Sequence, residues 1–218
     1  KQNLESLGYD VYKRGVSAYS TLGWFSDPLL SSMTFYPDQD LVETIIHELT
    51  HGTVFIKGSV EFNERLATFV GHMGMEAFYI QKEGAHSPTV AKAKLENEDS
   101  RIFAEFITEE IKAIETYYSS NKGNPNVLKE REREFQKITE RFTQRCRPKL
   151  KTESFSGFGQ LKLNNAVLIG YKTYYQDLSL FEKAYKKLDS QWPQFFAYMA
   201  TLKKSKDPEK ELTQWVNQ

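Results

Sequence analysis

One cysteine, Cys146, in 218 residues has no partner within the chain, which excludes an intramolecular disulfide framework and any cysteine-rich zinc site. It does not assign a compartment. No apolar run approaches the roughly 18 residues that a membrane span needs. An excess of one charge is missing too: 29 basic side chains meet 29 acidic ones, which removes the usual reason to expect a nucleic-acid partner. Histidine is scarce as well, with 4 residues in the whole chain, so where they fall carries information.

What is present points to a globular protein. Aromatic residues make up 14% of the chain and apolar residues 39%, enough to bury a sizeable core. The length predicts one domain or one with an appendage. The chain opens on Lys1, in an amphipathic stretch with Leu4 and Leu7, and reads as processed or trimmed.

The pattern Tyr9, Val11 and Val16 around Lys13-Arg14-Gly15 predicts two short strands joined by a glycine turn, the second continuing to Gly23-Trp24. Asp38 is placed to cap a helix in which Leu41, Val42, Ile45, Ile46, Leu49 and Val54 recur at helical spacing up to Gly58. Ser59 opens a second helix with Phe62, Leu66, Phe69, Val70, Met73, Ala77 and Phe78 on its apolar face. Two long polar helices follow, at about 89–119 and 125–147, around the turn Asn121-Lys122-Gly123-Asn124-Pro125. Residues 92–115 hold 7 acids and 4 bases and residues 129–151 hold 9 bases and 4 acids, the signature of an antiparallel hairpin with complementary flanks or of two solvated faces. Helical patterns recur over 161–189, 191–203 and 208–216. The expected fold is mainly α with a small N-terminal β element. Its expected segments are a core over 1–84, a helical hairpin over 85–150 and C-terminal helices over 151–218 that complete a cleft.

Within the helix that Asp38 opens lies His47-Glu48-Leu49-Thr50-His51, an HExxH motif. Imidazoles four residues apart share a helix face and can reach one tetrahedral zinc ion. The adjacent Glu48 needs no ligand role and can serve as general base toward a water whose pKa the ion lowers to about 7. A structural pair of core histidines is the competing account. A catalytic zinc takes three protein ligands. Glu64 lies early in the next helix, after a turn that returns it against the first. His72 lies about 12 Å further along by helix rise, and His86 falls in a loop. Glu64 is therefore the expected third ligand, with His72 and His86 as the other candidates.

The runs AYSTLGWFSDPLL (18–30), HELTH (47–51) and FNERLATFV (62–70), followed by LNNAVL (163–168), Tyr174 and Phe181, resemble a bacterial family of putative aminopeptidases. The resemblance implies a zincin-like metallopeptidase of the gluzincin type, with one zinc on His47, His51 and Glu64 of Asn63-Glu64-x-x-Ala67, and Glu48 as base. It also implies an export signal of lipoprotein type upstream, hence an extracytoplasmic location and attachment to a membrane through an N-terminal lipid. Better studied gluzincins carry an acid one turn after the third ligand, where this chain has Thr68, so the support behind the zinc histidines must differ.

Peptide hydrolysis also needs an edge for extended substrate and a donor for the oxyanion. The expected strand from Tyr19 to Trp24, with Gly23 allowing close backbone approach, is the candidate edge, or else an ordinary strand packed on the helices. Tyr174 is the candidate oxyanion donor, with Tyr171 and Tyr175 next. Asn164 and Asn165 read either as a cap for the helix starting near Ala166 or, for Asn165, as an amide that binds substrate backbone. Aminopeptidase action further needs an anion for the substrate ammonium, and spacing singles out none of Glu43, Asp27, Asp38 and Glu61. The expected function is zinc-dependent hydrolysis of a peptide or protein substrate. The alternative is a non-catalytic protein that uses the zinc as a staple or binds peptides uncleaved.

Overall fold

The computed structural model describes residues 2–13, 31–174 and 177–218. Its α-helices among the described residues are α1 (Gln2–Ser6), α2 (Asp38–Thr53), α3 (Val60–Glu83), α4 (Pro88–Ser120), α5 (Val127–Arg141), α6 (Asn165–Tyr174), α7 (Ser179–Lys187), α8 (Trp192–Thr201) and α9 (Pro208–Val216). No helix among the described residues is long and apolar enough to cross a membrane.

The expected N-terminal β element is corrected by the structure. No strand occurs among the described residues, and the first expected strand, around Tyr9 and Val11, is irregular chain. Asp10 there accepts hydrogen bonds from Arg131 and from the Asn165 side chain, and Val11 gives its carbonyl to Asn164. Side-chain partners thus occupy this segment where a strand would need a neighbouring ladder. The second expected strand, with Tyr19 and Gly23, lies outside the described residues. The fold is mainly α.

The chain divides into two compact units, each discontinuous in sequence: residues 1–14 with 92–176, and residues 15–91 with 177–218. In the first, α4 and α5 meet through Phe103, Ile107, Phe135 and Ile138, all buried, with the Phe155 ring stacked on Phe103 at 4.2 Å. The buried Glu110 carboxylate of α4 takes both arms of the Arg141 guanidinium of α5, in keeping with the charge-complementary hairpin. The helix expected to run to 147 stops at Arg141 and continues as a π turn over Phe142–Cys146 and a 3-10 turn over Arg147–Lys149, in which Pro148 cannot donate a backbone hydrogen bond. Asp99, fully buried, accepts from the Lys151 and Thr152 amides and the Thr152 hydroxyl, and so fixes the chain beyond that turn.

The second unit is built on α2 and α3, which fold back on each other. Val54 and Ile56 are buried in the link, and Gly58 reverses the chain with φ of 84°. Leu66 and Phe69 of α3 pack with Phe181, Phe195, Met199 and Leu212 from α7, α8 and α9. The helical pattern expected over 161–189 is broken into α6 and α7. The Asp177 carboxylate, which accepts from the Ser179 amide and hydroxyl, starts a new helix there in place of continuing the old one. Arg65, buried on α3, donates to the Glu209 carboxylate and the Asp177 carbonyl, binding the C-terminal helices to the metal-motif pair.

Candidate metal centre

The HExxH residues occupy the last two turns of α2, and Glu64 sits in the second turn of α3. Close helix packing brings them together. An added Cβ on Gly74 would meet Ile46 at 2.8 Å, and one on Gly71 would lie 3.1 Å from the Glu43 carbonyl oxygen and 3.6 Å from the His47 Cβ. A larger residue at either position would press α2 and α3 apart or displace Ile46. From the loop side, the buried Asn63 amide accepts from the Ile56 amide and donates to the Ile56 carbonyl, at 2.9 and 2.8 Å. This two-way bond sets where α3 begins and hence where Glu64 points.

His47 Nε2 and His51 Nε2 are 3.2 Å apart, and the two Glu64 oxygens lie 3.4 Å from the former and 3.5 Å from the latter. A tetrahedral zinc with ligand bonds of about 2.0–2.1 Å holds its ligand atoms about 3.3–3.4 Å apart. The three residues therefore fit a metal ion, and they form the candidate metal-ligand group among the described residues. Burial and the neighbouring His47 push the His51 pKa below the usual imidazole value against the opposing pull of Glu64, which favours the neutral ring that a metal requires. His51 is buried while the side chains of His47 and Glu64 remain 19% and 18% exposed, so the group opens to solvent on one side. His51 Nδ1 is buried without a hydrogen-bond partner among the described residues. None joins Thr68 to either histidine.

Glu48, next to His47, is half-buried. His86 is exposed in the loop after α3, and His72 Nε2 is paired with Glu43 at 3.1 Å, so neither joins the group. Tyr19 and Gly23 lie outside the described residues, as does the side chain of Tyr174, the last residue of α6 in the other unit. Tyr171 packs in that unit's core, its ring 5.3 Å from Phe103 and 5.2 Å from Phe158. Asn164 caps α6 by accepting from the Val167 amide, and the Asn165 amide is held by Asp10 and the Tyr118 hydroxyl within the same unit. Two features escaped the sequence reading: the clasp of Asn63 on Ile56, and the pairing of His72 with Glu43. The run Glu64, Thr68, His72, Glu76, polar at every fourth residue along one face of α3, was the available signal.

The arrangement belongs to the class of two-histidine, one-carboxylate groups on paired helices that can hold a single metal ion. The model of the family described as "Putative aminopeptidase" matches residues 1–214, and the chain belongs to that family. The family's description suggests a peptidase. No curated protein and no solved structure matches the chain.

Proposed function

We propose that the chain is a zinc-dependent peptidase of gluzincin type, with His47, His51 and Glu64 as metal ligands and Glu48 as general base. The observation that carries this reading is the convergence of the three residues, the two Nε2 atoms 3.2 Å apart and each within 3.5 Å of a Glu64 carboxylate oxygen, with Glu48 beside the first ligand on the same helix. A purely structural site has no use for that carboxylate. When bound, zinc supplies a Lewis acid and lowers the pKa of a ligated water.

The protein's own residues do the rest. Glu64, carried on α3, and the two histidines, carried on α2, fix the reacting position on the open side of the group. The Glu48 carboxylate takes the proton from water as oxygen bonds to the scissile carbonyl carbon. It then hands that proton to the departing amine nitrogen as the C–N bond breaks, so that one group serves as base and then as acid.

The test compares wild type with Glu48→Gln by metal analysis and digestion of a peptide library. Glu48→Gln should keep its zinc and lose about 10² to 10⁴ in rate. Full cleavage by Glu48→Gln would refute the reading, and a zinc-loaded wild type that cleaves nothing would leave a non-catalytic zinc protein.

A further inference from the structure

We propose that Glu43, held by His72, binds the α-ammonium of the peptide substrate and thereby directs cleavage to the N-terminal end of the chain. The inference rests on the peptidase reading above and adds the feature that selects the substrate.

On α3 the residues between Phe62 and Val70 are buried except for Glu64 and Thr68, and the half-buried stripe continues one turn at a time through His72 and Glu76. On α2 the facing stripe is Glu43, His47 and His51, again one turn apart. The two stripes form one polar seam. The candidate metal ligands make one part of it, and the pair of Glu43 Oε1 with His72 Nε2, at 3.1 Å, lies further along. His72 is 19% exposed and Glu43 33%, so the carboxylate is held in place yet remains reachable.

Of the acids that could receive an ammonium, Asp27 lies outside the described residues, Asp38 and Glu61 are exposed in the first turns of their helices, and Glu76, on the seam, lies three turns of α3 from Glu64, about 18 Å of helix rise. Glu43 stands on the seam as well. A carboxylate offers about four acceptor positions, of which the His72 bond uses one. Glu43 precedes His47 by one turn, about 6 Å of helix rise. An extended peptide advances about 3.3 Å per residue. A chain whose carbonyl is held at the His/His/Glu group thus brings its terminus to Glu43 after one or two residues. A charge-assisted bond to a fixed carboxylate favours a free ammonium over an acylated terminus, which carries no charge.

The test uses zinc-loaded protein, a leucyl tripeptide and its N-acetyl derivative. Glu43→Gln should raise KM for the free tripeptide about 10- to 100-fold, leave the acetylated peptide unchanged, and keep zinc content at the wild-type level. Glu43→Asp, which restores the charge, should recover part of the preference even if Glu43→Gln melts lower. Calorimetric binding of both peptides to Glu48→Gln, with and without Glu43→Gln, reads the same discrimination without turnover. If wild type cleaves neither peptide the peptidase reading falls, while this binding comparison still decides the role of Glu43. Equal losses on both peptides would show a merely structural ion pair, and no loss on either would also overturn the proposal.

Discussion

At the scale of single residues, the candidate centre depends on a few side chains whose loss should have separable effects. Glu64→Ala removes the carboxylate whose two oxygens lie 3.4 Å from His47 Nε2 and 3.5 Å from His51 Nε2, and metal analysis of the purified variant should show zinc well below stoichiometry. Near-full zinc in that variant would discard Glu64 as a ligand. Asn63→Ala touches no ligand. It leaves the Ile56 amide and carbonyl, in a buried link, without their partner, which should cost about 2 to 3 kcal/mol in urea unfolding. An unchanged midpoint would mean that water or a shifted backbone replaces the clasp.

Among elements, the decisive contact is α2 against α3. Gly71 sits where a Cβ would lie 3.1 Å from the Glu43 carbonyl oxygen and in contact with the His47 Cβ, so the branched Gly71→Val should push the helices apart. Overpacking of this kind costs about 1 to 3 kcal/mol. The same displacement should weaken zinc affinity, since it lengthens the distance from His47 to Glu64. A chelator titration that finds wild-type affinity in a destabilised Gly71→Val would show that the ligands do not depend on this packing. In the other unit, Asp99 holds the chain at Lys151 and Thr152, beyond the turns that follow Arg141. Burial opposes its charge, but the Lys151 and Thr152 hydrogen bonds prevail and hold its pKa below the usual carboxylate value. A depressed folded pKa contributes stability that is present above the unfolded carboxylate pKa, about 3.9, and is lost as pH falls through the folded value. Asp99→Asn should therefore flatten the acid limb of stability against pH between roughly pH 5 and 2. An unaltered limb would assign that dependence to other carboxylates.

For the molecule as a whole, an ion that binds only the folded chain adds stability by mass action. At a free concentration of one hundred times Kd the gain is about 2.7 kcal/mol. Zinc should thus raise the melting temperature of the wild type and of Glu48→Gln, and a chelator should reverse it. Glu64→Ala should show little of either shift. Equal shifts in all three would place the ion elsewhere.

Local patterns in the sequence determined much of this: α3 and α9 follow from apolar spacing with glycine or proline at their ends, α2 follows from it as far as Thr53, short of the expected Gly58 because Val54 turns extended, and the HExxH pair shares a face because four residues make about one turn. Glu64 could be named because a short link forces α3 back along α2. Tertiary structure alone decided the rest. The expected N-terminal strand has the right alternation, yet Asp10 and Val11 are claimed by Arg131, Asn164 and Asn165, more than a hundred residues away. The clasp of Asn63 on Ile56 and the pair of His72 with Glu43 depend on how two helices cross. A sequence records which side chains share a helix face, but the approach of one face to another is set by the packing of glycines and buried side chains on both.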